Sequence, residues 1–152
     1  MYFEIALGAV ALILLLETWR SHRRQRAAIK QADAPAPRSS YPSISVIRPI
    51  KGLDAGAAEN FKAALDHGYP GDVETLFVFD DVDEPAFPLA RAAIEEHRRS
   101  GRPGTARVVF CGEPPAGRTG KLNAMIVGMR RSRGELVAFV DSDVRQGRGE
   151  LT

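Results

Sequence analysis

Beyond residue 40 the chain alternates short apolar runs, rich in β-branched residues, with longer stretches whose apolar positions recur at helical spacing. Residues 43–48 (SISVIR) predict a first strand, stopped by Pro49. Asp54 is placed to cap a helix that turns Ala57, Phe61, Ala64 and Leu65 to one side, with Gly68 near its end. Residues 73–79 predict a second strand and 87–99 a second helix, which Gly101 ends. A third strand follows over 106–111. The helix predicted over 121–131 repeats its apolar residues as Leu122, Met125, Ile126 and Met129. Gly134 closes it, and residues 136–140 form a fourth strand, apolar throughout. Nearly continuous apolar strands alternating with amphipathic helices predict a parallel sheet covered on both faces, an α/β fold. Ligands of such sheets bind at the carboxyl ends of the strands, so the polar residues just past each strand are the ones to read for chemistry.

The first 40 residues follow another pattern. Residues 5–16 (IALGAVALILLL) lack any polar side chain. As a helix, residues 1–19 would be about 28 Å long, close to the ~30 Å of a bilayer's hydrocarbon core. Their eight strongly apolar residues favour insertion by about 2.5–5 kcal/mol. Glu4 and Glu17 oppose it from the ends. Arg20, Arg23, Arg24, Arg26 and Lys30 follow with no acid among them, the reverse of a secretory signal, whose charge precedes the apolar run. The expectation is a single-pass anchor over 1–19 with the N-terminus outside and the remainder cytoplasmic. An interfacial helix whose arginines meet anionic headgroups is the alternative, and both tether the chain to a membrane. The basic juxtamembrane segment and linker run over 20–40, the latter part (31–40) semi-extended by Pro35 and Pro37.

Charge sharpens this division. The net charge is +2 over 152 residues, yet residues 1–40 hold six Lys/Arg against three Asp/Glu, and the rest is close to neutral. A nucleic-acid-binding domain, which carries its basic surface on the fold, is not expected. With one cysteine, Cys111, no internal disulfide can form, and three histidines add no zinc-like cluster. His67 and His97 are expected at helix C-termini and Cys111 as buried strand filling.

Three strands end in chemistry. The first runs into Pro49-Ile50-Lys51-Gly52, the second into Asp80-Asp81-Val82-Asp83-Glu84, the fourth into Asp141-Ser142-Asp143 with Arg145 beyond. Carboxylates crowded at one sheet edge are costly without a cation. A hard divalent ion, Mg²⁺ or Mn²⁺, relieves that cost through carboxylate and phosphate oxygens together. Gly120-Lys121 is no phosphate loop, because Pro115 stands where its first glycine should be and Leu122 where Ser/Thr should be. A phosphoacceptor domain would place its acidic pair after the first strand, whereas Asp80-Asp81 follow the second.

Taken in order, these segments resemble a known family. Residues 41–54 (YPSISVIRPIKGLD) resemble the opening of the ceramide glucosyltransferase branch of the family-2 glycosyltransferases, in which a strand runs into Pro-x-Lys-Gly-x-Asp. Glu59-Asn60 and Tyr69-Pro70 echo the following helix and its exit. Residues 76–86 (LFVFDDVDEPA) are similar, without gaps, to that branch's strand and acidic turn. Gly120-Lys121-Leu122-Asn123 resembles its Pro-Lys-x-Asn stretch, and residues 141–145 (DSDVR) its Asp-Ser-Asp-x-Arg motif.

The resemblance implies a GT-A-like (Rossmann-like) domain over 41–152 that binds a UDP-sugar and transfers the hexose, with inversion, to a lipid acceptor such as ceramide. It implies a nucleotide-sugar site of Pro49, Lys51, Asp81, Lys121 and Asp141, with Asp81 on the nucleoside and Lys121 on the diphosphate. Asp141 and Asp143 become the ligands of Mg²⁺ or Mn²⁺. The family's general base and its Gln/Arg-x-x-Arg-Trp motif lie well downstream of the metal site, and the only tryptophan here is Trp19. The expectation is therefore an incomplete, donor-binding half with no catalytic base of its own, a poor transferase alone, whose missing half a partner chain could supply. A non-catalytic, membrane-tethered nucleotide-binding module is the alternative.

Overall fold

The computed structural model describes residues 2–32, 40–145, 147 and 151, with backbone alone for 2–7, 9 and 27–32. The chain divides into two units, Met1–Arg38 and Ser39–Thr152.

The first unit is one helix, α1 (Tyr2–Ala32). Val10, Leu12, Ile13, Leu14, Leu15 and Leu16 are all exposed on it, and Arg23 stacks over the Trp19 ring at 4.7 Å. Among the described residues no helix is long and apolar enough to cross a membrane. The described aliphatic run ends at Leu16, and Glu17, paired with Arg20 at 3.1 Å, begins the charged half. The expected spanning anchor over 1–19 is therefore not supported. Met1 and the side chains of 2–7 and 9, on which much of that expectation fell, lie outside the described residues, as do linker residues 33–39.

The second unit carries the alternation read from the sequence. Its elements are β1 (Ile44–Pro49), α2 (Ala57–Ala64), β2 (Val73–Phe79), α3 (Phe87–Ser100), β3 (Thr105–Phe110), α4 (Gly120–Arg131) and β4 (Leu136–Phe139). The strands form one parallel sheet in the order β3-β2-β1-β4. Alternation along β2 sorts the core onto two faces. Phe77 and Phe79 pack with Phe61, Leu65, Ala90 and Ala93 beneath α2 and α3. Leu76 and Val78 pack with Ile47, Val109 and Ala124 beneath α4. Gly128 lets α4 come this close, since a Cβ there would lie 2.5 Å from Ile47 Cγ2.

Three local expectations change. Apolar β4 is an edge strand, with Leu136 51% and Phe139 44% exposed. Asp54 does not cap α2: Gly56, at φ 75°, holds the cap position, and the Asp54 carboxylate accepts instead from Ser142 Oγ at 2.6 Å. His97 does sit in the last turn of α3, but His67 lies past the end of α2 with its Nδ1 accepting from the Tyr69 amide at 3.1 Å.

Burial, and then the neighbouring His97, push the His67 pKa down, against a smaller upward pull from Asp66. The unfolded chain thus takes up this proton first as pH falls. His67 contributes stability that is fully present above the ordinary histidine value of about 6.5 and is lost progressively below it, with a slope of at most about 1.4 kcal/mol per pH unit. Thermal melts between pH 7.5 and 5 should show that decline, and His67→Gln should flatten it. An unchanged slope in the variant would assign the acid sensitivity elsewhere.

Candidate functional site

At the carboxyl ends of β1, β2 and β4 lies a cavity of about 500 Å³. Pro49, Ile50 and Lys51 enter it from β1, Asp80 from β2, Gly120, Lys121 and Ala124 from the start of α4, and Asp141, Ser142 and Asp143 from the turn after β4. Asp54 completes the wall. Thus Pro49, Lys51, Lys121, Asp141 and Asp143, expected from the sequence, share one cavity. Asp81 is not among its lining residues.

The reason is strand alternation. The regular ladder ends at Phe79, since the next carbonyl, that of Asp80, also accepts from β3's exit, the Gly112 amide at 3.0 Å. Asp80 nonetheless keeps to the face of Leu76 and Val78, where its carboxylate meets Cys111, which packs against that cluster. Asp81 is exposed, and its Oδ1 accepts from the Asp83 amide at 2.8 Å, a local turn bond.

Lys51 is already engaged. Its Nζ donates to Asp80 Oδ2 at 2.6 Å and to Glu84 Oε1 at 2.5 Å, while buried Glu84 also accepts from the Gly52 amide at 2.9 Å. The hydrogen bonds to Asp80 and then Glu84 hold the Lys51 ammonium well above the usual lysine pKa. The hydrogen bond from Lys51 likewise draws Asp80 below the usual carboxylate range. Asp80 Oδ1 accepts from the Cys111 thiol at 3.4 Å. Burial, reinforced by that aspartate, raises the thiol to about 11. Cys111 is thus a protonated donor, not a nucleophile.

The β3–α4 loop is set by Asn123, whose amide donates to the carbonyls of Cys111 at 3.2 Å and Gly112 at 3.3 Å. Thr119 caps α4 by accepting from the Leu122 amide at 3.3 Å. This aims the N-terminus of α4, with its partial positive charge, into the cavity. Lys121 Nζ reaches Asp141 Oδ1 at 2.6 Å. Under that turn lies the fully buried Arg48, whose Nη2 donates to the carbonyls of Asp141 at 2.8 Å and Val144 at 2.6 Å.

Four lining carboxylates face two lining ammonium groups, an excess of two negative charges. Among the described residues no group of three or more His, Cys, Asp or Glu could hold a metal by itself. Asp141 and Asp143 suit instead a hard divalent cation that keeps most of its coordination shell for water and phosphate oxygens. The Asp141 carboxylate is at present paired with the exposed Lys121 ammonium.

Sequence reasoning missed Asp54, Asp80 and Ser142. For Asp80 the signal was present: counting by two from Leu76 and Val78 selects it over its neighbour.

Over residues 4–152 the chain matches the family described as Glycosyl transferase family 21. Ceramide glucosyltransferase 1 of Caenorhabditis elegans is 32% identical over 108 residues, covering 71% of this chain and 22% of the relative. The chain therefore spans under a quarter of that relative's length. Among solved structures, the mannosyltransferase PcManGT from Pyrobaculum calidifontis, in complex with GDP-Man and Mn²⁺, matches with a TM-score of 0.45 and 19% identity. That match covers 85% of this chain and 34% of the other.

Proposed function

The chain belongs to glycosyl transferase family 21, and from that premise we propose that it forms the donor side of a metal-dependent, inverting enzyme passing a hexose from a UDP-sugar to a lipid such as ceramide. The observation that carries this reading is the strand-end cavity, in which the β1, α4 and β4 motifs meet around an excess of negative charge. Asp141 and Asp143 would hold Mg²⁺ or Mn²⁺, which when bound offsets the charge of a departing diphosphate. Lys121 adds positive charge at the amino end of α4, where amides favour phosphate. Pro49, Ile50 and Ala124 give the nucleoside an apolar wall, and Asp80 supplies the acceptor that reads it, with Lys51 fixing the orientation of that carboxylate. The general base and the acceptor-side groups are assigned to polypeptide outside this chain, whether a continuation or a partner chain. Membrane attachment is assigned to α1, whose exposed leucines suit the acyl boundary and whose arginines suit anionic headgroups on the cytoplasmic side.

The nucleoside assignment has a direct test. With Mn²⁺ present, calorimetry should show UDP binding weakened at least tenfold by Asp80→Asn and less than twofold by Asp81→Asn. The reverse ranking would move the nucleoside out of this cavity and overturn the reading.

A further inference from the structure

The two aspartates read as metal ligands stand on the turn after β4, and among the described residues β4 is an edge strand, paired to β1 alone. A turn so placed needs an anchor inside the fold if its carboxylates are to keep one geometry. Arg48, next to last in β1, is 0% exposed, although arginine is almost never fully buried without partners. Its Nη2 spans two backbone carbonyls, Asp141 at 2.8 Å and Val144 at 2.6 Å, which bracket the segment carrying both carboxylates. From α2 and the loop before it, Asp54 accepts from Ser142 Oγ at 2.6 Å and Asn60 Nδ2 donates to the Ser142 carbonyl at 3.5 Å. The turn is therefore held through its backbone and its serine, which leaves Asp143 lining the cavity and the Asp141 carboxylate paired with the exposed Lys121.

Burial pushes the Arg48 guanidinium down to about 10, while Asp141 and Asp143 pull it upward, so it stays charged at neutral pH. A buried charge serving packing alone would be a poor solution, because an apolar side chain of similar volume fills space without the desolvation cost. What arginine adds is reach and a planar donor set; a lysine ammonium is one bond shorter and a point charge.

We propose that Arg48 is a positioning residue for this turn: by bridging the carbonyls of Asp141 and Val144 it fixes where the Asp141 and Asp143 carboxylates meet a divalent cation, an inference that rests on reading those two as metal ligands. The test uses the full 152-residue chain in detergent, as wild type, Arg48→Lys and Arg48→Gln. Amide hydrogen exchange reads the turn without metal, and electron paramagnetic resonance reads the binding of Mn²⁺ alone. Both variants should exchange at least tenfold faster over 141–145, with β2 unchanged, and should bind Mn²⁺ at least tenfold more weakly. Arg48→Gln removes the buried charge and so keeps the test usable should Arg48→Lys unfold. Exchange rising throughout the sheet in both variants would make the role purely structural and overturn the proposal. Wild-type Mn²⁺ affinity in both variants would overturn it too. A wild-type chain that binds no Mn²⁺ would instead refute the metal reading on which the inference stands.

Discussion

Replacing Asp141 and Asp143 together by asparagine is expected to weaken Mn²⁺-dependent UDP binding by at least a hundredfold while leaving the fold intact. The exchange preserves volume and removes two of the four lining carboxylates, so the cavity's negative excess disappears. The backbone of the turn keeps its hydrogen bonds from Arg48, and Ser142 keeps Asp54. Lys121 loses its Asp141 partner, but that pair is exposed and contributes little to stability. The measurement is UDP calorimetry at saturating Mn²⁺, beside a thermal melt. Unchanged affinity would mean that these carboxylates hold no metal used for the nucleotide.

The largest stability effect is expected from Gly134→Ala. A Cβ at this position would lie 2.5 Å from the Ser45 amide nitrogen and 2.7 Å from the Ile44 carbonyl carbon, both backbone atoms of β1 that cannot rotate away. Ser45 is fully buried there and ties the strands together. Its Oγ accepts from the Gly134 amide at 2.7 Å and donates to Glu74 at 2.6 Å. The added methyl must push β4 off β1, a cost of about 3 kcal/mol, a large share of a typical domain's stability. A melting midpoint lowered by roughly 10 °C is the expected result. Because β4 leads into the Asp141 turn, Mn²⁺ affinity should fall with it. A melt within 2 °C or so of wild type would show that β4 is not seated on β1 as described.

Every strand and helix of the second unit was legible in the sequence because each carries a run whose period is unambiguous. Residues 73–79 could only be a buried strand, and 121–131 shows its apolar face at helical spacing. The order of strands was not legible. It makes β4 an edge and so leaves Leu136 and Phe139 exposed, although the segment reads as core. The motifs read from the sequence meet at one cavity, and two contacts there differ from the expectation. A gapless match to a family turn cannot tell which of two adjacent carboxylates points inward, whereas alternation along β2 selects Asp80. Asp54 reads locally as a helix cap, yet Ser142, 88 residues away in sequence, claims it. Long-range pairing of this kind leaves no periodic trace. The resemblance to ceramide glucosyltransferases, drawn from motif order, is borne out by the match to family 21 and by the 32% identity.

The claim that the cavity binds a sugar nucleotide through a shared divalent cation is tested most directly by titrating UDP into the wild-type chain with Mn²⁺ present and again after its removal by a chelator. Saturable one-to-one binding that vanishes with the metal is the predicted result. Equal binding in both titrations, or none in either, would contradict it.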